Sequence, residues 1–286
     1  MIGFIGLGVM GEPMCRNLAA KSGEQICAYD IAVAPLERLK AHGVAAAAGV
    51  REVAERCSVV FLSLPGGEEL KRVCAGQGSL LMYLRPGSHV VDLSTAPVAL
   101  TRELHGRFAA RGIQSADAPV ARTREAAEQG TLSVMVGAAE PVFQRIRPLL
   151  AHIATDITHC GGPGAGQAMK LLNNMVLFQN VVALAEALAL ARGNGLDPSL
   201  ALQVLAKGSA DSFALRHHGI KAMLPQEYPE RAFSVEYALK DLGYALELAA
   251  QARVEPGGAR NTQALLRRAA AAGHGKAYFP VVAKVI

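Results

Sequence analysis

From Gln167 to Arg192 the chain carries neither proline nor glycine, and Ala, Leu, Met, Val and Glu dominate it. Most of these are strong helix formers, and Gly193 and Gly195 supply a stop. At about 1.5 Å per residue the helix would run roughly 40 Å, longer than most small domains are wide. Apolar residues fall on nearly every face, so the rest of the chain must cover most of it. Lys170, Asn173, Asn174, Gln179 and Asn180 interrupt this pattern. Lys170 and Asn174 stand four apart and share one side of the helix. Either Lys170 snorkels to the surface while the asparagines bond a neighbouring loop, or this side faces a pocket between two domains.

The start of the chain supports the pocket. Ile2 to Ile5 is a short β run leading into Gly6-Leu7-Gly8-Val9-Met10-Gly11, and a helical pattern follows from Pro13 to Lys21. This is GxGxxG between strand and helix. Gly6 permits a tight turn, Gly8 lets a pyrophosphate approach the backbone, and Gly11 lets helix and strand pack closely. The phosphates would rest on the free N–H groups around Val9, Met10 and the helix start. A second strand, Gln25 to Tyr29, ends in Asp30. That carboxylate lies about 20 residues past the glycines, where an acid grips the ribose 2′-hydroxyl of NAD. Capping a helix near Pro35 is its alternative duty. Ile31 to Ala34 are apolar and the next basic residue is Arg38, so NAD is favoured over NADP as the cofactor.

Strand and helix keep alternating. Val59 to Leu64 is a continuous apolar run ending in Pro65-Gly66-Gly67, typical of a central parallel strand. His89 to Leu93 is followed by Ser94-Thr95-Ala96-Pro97, with Thr95 a candidate helix cap. Further strands are expected at 114–117, 132–136 and 156–159, and helices at 68–75 and 141–151. Loops at the carboxyl ends of parallel strands form the ligand crevice, so Leu64, Pro65 and Thr95 are candidates for lining the nicotinamide side. Beyond the long helix only helical patterns remain, at about 199–207, 213–222, 234–252, 257–272 and 278–285. Ser212 is expected as a cap, and His217 and His218 as structural residues. The fold class is α/β: a doubly wound Rossmann domain over 1–162 and an all-helical domain over 163–286, joined by the long helix.

Composition excludes several classes. Of the 286 residues 51% are apolar and 19% charged, and the net charge is +5. The arginines are scattered and tryptophan is absent, which argues for a small anionic ligand and against nucleic acid. The polar interruptions of the long helix argue against a membrane span, and the N-terminus lacks the pattern of a secretory leader. Five cysteines without paired spacing read as free thiols in a reducing cytoplasm. Neither they nor the histidines show metal-ligand spacing, so no metal is expected.

Five blocks now stand in order: GFIGLGVMGEPMCRNL, DLSTAP, DAPV followed by GTLSVMVG, GPGAGQAMKLLNN, and KDL at Lys240–Leu242. Together they span almost the whole chain and resemble the β-hydroxyacid dehydrogenases, the family of 3-hydroxyisobutyrate dehydrogenase and tartronate semialdehyde reductase. The resemblance implies an enzyme that interconverts a small anionic hydroxy acid and its semialdehyde, as a homodimer or homotetramer. It makes Lys170 the proton donor and acceptor, Asn174 a substrate contact, and Lys240 a neighbour of the cofactor. After DAPV most members carry Ser-Gly-Gly; here the positions read Ala121-Arg122-Thr123. That variant is similar to the 3-sulfolactaldehyde reductase branch, which also acts as a 4-hydroxybutyrate dehydrogenase. Ala121, Arg122 and Thr123, with Thr95 and Asn174, are the expected substrate set. A guanidinium favours a bidentate hold on an oxyanion, and pairing of Arg122 with Glu125 or Glu128 is the alternative. Other readings are 3-hydroxyisobutyrate dehydrogenase or tartronate semialdehyde reductase proper, a non-catalytic dinucleotide-binding scaffold, a phosphosugar dehydrogenase and an imine reductase.

Overall fold

Short apolar runs bounded by Gly, Pro, Ser or Asp become strands in the computed structural model, which describes residues 1–230 and 232–286. The first half alternates β1 (Ile2–Ile5), α1 (Gly11–Lys21), β2 (Ile26–Tyr29), α2 (Val33–Lys40), β3 (Ala45–Ala46), α3 (Val50–Arg56) and β4 (Val59–Leu62). Next come α4 (Gly67–Ala75), α5 (Leu80–Tyr83), β5 (His89–Asp92), α6 (Val98–Ala109) and β6 (Gln114–Asp117). The half closes with β7 (Val120–Ala121), α7 (Arg124–Gln129), β8 (Leu132–Gly137), α8 (Glu140–Leu150) and β9 (Ala154–Gly161). The long helix α9 then runs Ala165–Gly193.

These strands form one sheet in the order β3-β2-β1-β4-β5-β6-β8, parallel up to β6. β8 runs antiparallel to β6 and β7 and parallel to β9. The period-two alternation of β1 and β4 sorts their side chains onto two cores. Ile2, Phe4, Val59 and Phe61 pack with residues of α1, α2, α7 and α8, and Phe4 stacks on Phe61. Ile5, Val60 and Leu62 pack with α3, α4, α5 and α6 on the other face. Helices on both faces of a mostly parallel sheet make the doubly wound architecture that the alternation predicts. Sequence reading did not anticipate β3, α3, α5, β7 or α7, each seven residues or fewer.

Cα packing divides the chain into two units, Met1–Lys170 and Leu171–Ile286. The second is helical throughout its described elements: the rest of α9, α10 (Pro198–Leu205), a π-helix (Leu215–Met223), α11 (Val235–Gln251), α12 (Gly257–Ala269), a short π segment and a closing 3₁₀ turn (Phe279–Val285). Asp197 caps α10 by accepting from the Ser199 and Leu200 N–H groups, with Pro198 in the first turn. Ser212 accepts from Leu215 N, as expected of a cap. By length and composition α9 is apolar enough to cross a membrane, yet 44% of its most apolar window is buried inside the protein.

An aromatic cluster built from Phe178, Phe233, Tyr278 and Phe279 encloses His218, which is 5% exposed. Tyr278 Oη lies 2.6 Å from His218 Nδ1. Burial pushes the tyrosine up to about 12, so its hydroxyl keeps the proton and donates. Burial, and secondarily His217, pull the His218 pKa down to about 4. The unfolded chain therefore binds one more proton than the folded one between its ordinary value and about 4. Neutral His218 contributes stability above pH 6.5 that is lost as pH falls through that window, on the order of 3 kcal/mol in all. Urea unfolding of the helical unit at pH 7 and pH 4 is expected to show this loss. A His218→Phe variant should lose less by a comparable margin, and equal losses in both proteins would show that His218 does not carry it.

Candidate functional site

The glycine turn between β1 and α1 has a separate requirement at each glycine. Gly6 adopts φ +93°, and a methyl there would stand 2.2 Å from the Ser63 carbonyl oxygen. A methyl on Gly11 would stand 2.0 Å from the Gly6 carbonyl oxygen, so any larger residue would push α1 away from the turn. A methyl on Gly8 meets no atom within 4 Å, so that side of its backbone is open, and Val9 beside it is 52% exposed while Met10 is half-buried. The half-buried Asp30 carboxylate accepts from Leu7 N at 2.5 Å and from Ala32 N at 2.7 Å, so it ties the glycine turn to the end of β2. α2 begins with Ala32 as its cap residue and no side-chain cap. Arg38 forms a bidentate pair with Glu12, at 2.6 and 2.7 Å. A bare turn at a helix start, with an acid at the second strand end, fits a dinucleotide.

A second frame joins the loops after β4, β5 and β6 to the first turn of α9. Leu64 N donates to Ser94 Oγ, and Ser94 N donates to Asp92 Oδ1. Gln167 is fully buried; its side chain accepts from Ala96 N at 3.1 Å and donates to Ser94 O at 2.7 Å. The half-buried Thr95 is thereby held from both neighbours, and α6 starts later, with Pro97 rather than Thr95 as its cap residue. Pro65 follows Leu64 at the mouth of the same loop.

Asp117, at the end of β6, accepts from Gly164 N at 2.7 Å through one oxygen and from Gln167 N at 2.8 Å through the other. Burial pushes this carboxyl above the ordinary carboxylate range, and the backbone N–H bonds oppose that rise. Backbones pack closely here: a methyl on Gly166 would stand 2.3 Å from the Met135 carbonyl oxygen. Lys170 follows Gln167 by three residues and is only 8% exposed. Its amine is therefore carried on a turn fixed by Asp117 and Gln167.

The loop after DAPV leads from β7 to the cap of α7. Ala121 lies in β7 opposite Ser133. Thr123 caps α7, its hydroxyl accepting from Ala126 N at 3.4 Å. Arg122 has φ +86°. One guanidinium nitrogen donates to Thr131 O at 2.6 Å and to Thr155 Oγ1 at 3.0 Å, and the other pairs with the Asp156 carboxylate. Neither Glu125 nor Glu128 takes it: Glu128 pairs with Arg124, and Glu125 accepts from Gln129.

In the helical unit Asn174 Nδ2 donates to Asp241 Oδ2 at 2.7 Å, and Asn174 Oδ1 accepts from Asn173 Nδ2 at 3.0 Å. Asn174 is 3% and Asp241 1% exposed. A carboxylate can only accept, so it fixes which end of the Asn174 amide faces it. Lys240 Nζ lies 3.1 Å from Asp241 Oδ1, over the rings of Tyr237 and Tyr244. Sequence reading did not single out Asp117, Gln167 or Asp241. The available signal was an acid inside an apolar run, which must find partners when buried. Among the described residues no group of three or more His, Cys, Asp or Glu side chains could hold a metal ion.

Comparison with known proteins agrees with this geometry. Residues 1–162 match the family model of the NAD binding domain of 6-phosphogluconate dehydrogenase. Residues 164–286 match the NAD-binding model of NADP-dependent 3-hydroxyisobutyrate dehydrogenase. The 2-(hydroxymethyl)glutarate dehydrogenase of Eubacterium barkeri is 38% identical over 253 residues, covering 88% of this chain and 83% of that protein. The 2-hydroxy-3-oxopropionate reductase of Escherichia coli is 33% identical, covering 87% and 84%. A Mycobacterium tuberculosis 3-hydroxyisobutyrate dehydrogenase structure with L-serine superposes with a TM-score of 0.90 at 32% identity, covering 99% of this chain and 98% of its own.

The Asp117 frame generates a test. In Asp117→Asn an NH₂ group replaces one acceptor and faces a backbone N–H, leaving a buried donor unmet at a cost of about 1–3 kcal/mol. Hydrogen exchange at the Gly164 and Gln167 amides is expected to accelerate accordingly. Protection equal to wild type would show that Asp117 does not hold the start of α9.

Proposed function

The chain belongs to the β-hydroxyacid dehydrogenase family and is a nicotinamide-dependent oxidoreductase acting on CH–OH; we propose that its substrate is a small β- or γ-hydroxy acid or sulfonate, oxidised to the semialdehyde, with Lys170 handling the proton. The observation that carries this reading is a lysine only 8% exposed on the turn of α9 that Asp117 and Gln167 fix. A non-catalytic scaffold has no need of a buried, positioned lysine. We assign residues 1–162 to cofactor binding and 163–286 to substrate recognition and assembly.

The glycine turn of Gly6, Gly8 and Gly11 would hold the cofactor pyrophosphate on the N–H groups at Val9, Met10 and the start of α1. Asp30 would receive a ribose hydroxyl, and Leu64, Pro65 and Thr95 would border the nicotinamide. NAD is preferred over NADP, because Arg38, the nearest following base, is engaged by Glu12. A bound nicotinamide supplies the hydride acceptor or donor. Lys170 takes the hydroxyl proton during oxidation and returns it to the carbonyl oxygen during reduction. Asn174, one helical turn on, orients the reacting oxygen or the acid group, and Asp241 sets the direction of its amide. Lys240 contributes a positive charge toward the cofactor.

Ala121, Arg122 and Thr123, with Thr95, form the acid-binding part of the site. The named substrate of the Eubacterium barkeri relative carries two carboxylates, which supports a guanidinium at Arg122 as the grip on a second acid. The Escherichia coli relative favours tartronate semialdehyde as the alternative substrate. An exposed apolar row on α9, comprising Met169, Leu172, Val176 and Leu190, supports a homodimer or homotetramer. The cytoplasm is the proposed location.

Lys170→Ala is expected to lower kcat by roughly 10²- to 10⁴-fold while calorimetric titration shows unchanged NAD binding. Turnover above a few per cent of wild type would remove Lys170 from the mechanism. Cofactor choice is read separately: Asp30→Ala should raise the KM for NADH by about tenfold, a lost charge-assisted hydrogen bond, and that for NADPH much less. Equal increases for both would make Asp30 a support for the glycine turn alone.

A further inference from the structure

We propose that Asp156 is a specificity-setting residue, whose carboxylate competes with the second acid group of a substrate for the guanidinium of Arg122. This rests on the assignment of Arg122 to the substrate's acid group.

The backbone of Arg122, at φ +86°, lies in a region that side-chain-bearing residues rarely adopt. An arginine held there needs a compensating hold on its side chain. The sheet register shows where that hold comes from. Ala121 lies opposite Ser133, and Ser133 opposite Asp156, so the three form one row across β7, β8 and β9. Two strand spacings amount to about 10 Å, a reach that few side chains other than arginine have. Thr131 O and Thr155 Oγ1 engage one guanidinium nitrogen, and the Asp156 carboxylate pairs with the other. Thr155 Oγ1 in turn lies 3.2 Å from the same Asp156 oxygen.

Two features make this pair exchangeable. The Arg122 and Asp156 side chains are 40% and 56% exposed, and an exposed ion pair holds weakly. The tether to the Thr131 carbonyl does not involve Asp156, so the guanidinium stays near the loop when the carboxylate lets go. A substrate with a second acid would take over the nitrogen that Asp156 occupies, whereas a monoacid leaves the pair intact. Asp156 thus weakens binding of diacids in particular, and it acts through Arg122 without touching the reacting atoms.

The test compares 2-(hydroxymethyl)glutarate with 3-hydroxyisobutyrate as substrates for the intact enzyme with NAD. Asp156→Asn is expected to lower KM for the diacid about two- to five-fold, the range set by an exposed ion pair, with kcat and the monoacid KM unchanged. Asp156→Glu should return the diacid KM toward wild type. A diacid KM that is unchanged or raised in Asp156→Asn overturns the proposal, as does an equal fall for both substrates. Arg122→Gly separates the layers. If it raises the diacid KM while Asp156→Asn does nothing, the assignment of Arg122 stands and that of Asp156 fails. If Arg122→Gly leaves the diacid KM unchanged, or no form turns over the diacid, the assignment of Arg122 fails with it.

Discussion

Two backbone N–H groups at the start of α9 point into one carboxylate, that of Asp117, and the candidate chemistry of the first unit hangs from this contact. The first N–H groups of any helix have no partner within it, so a buried helix start must be met by something else. Here a strand end meets it, which ties the first turn of α9 to the end of β6. Glycine at 137 and 166 is the steric counterpart, because a methyl at either would fall within 3 Å of Asp117 or of neighbouring backbone. The raised proton affinity of Asp117 shows the tension involved: burial disfavours its charge while the N–H donors favour it. Gln167 extends the same frame to the loop after β5, so Ser94, Thr95 and Ala96 cannot shift independently of the helix that carries Lys170.

The fold was legible where local chemistry and tertiary demand coincide. The doubly wound half announced itself through apolar runs stopped by Gly, Pro or Asp, and the long helix through its lack of breakers. The spacing of Gly6, Gly8 and Gly11 told of a turn, an open backbone and a close packing, and each has its counterpart in the structure. Two-residue strands such as β3 and β7 left no pattern to read, because a period cannot show itself in so short a span.

Side-chain partners were far less legible. The acid that holds Arg122 lies 34 residues away and two strands over, while the near candidates Glu125 and Glu128 satisfy other groups on α7. Asn174 finds Asp241 67 residues later. Helical spacing shows which residues share a side but not what that side meets. Thr95 and Thr123 illustrate the same limit from the other direction. Both stand where a hydroxyl could cap a helix, yet only Thr123 does so, because α6 begins beyond Thr95, at Pro97.

The backbone at Arg122 has a wider consequence. Since its torsion suits glycine, removing the side chain would relax the main chain and offset part of what the contacts with Thr131, Thr155 and Asp156 contribute. On the proposed role of Arg122, a chain of this kind would gain or shed an acid-gripping group at one codon without disturbing sheet, helix or glycine turn. On that proposal, diversification of substrate range would be mechanically uncoupled from the scaffold at this one corner.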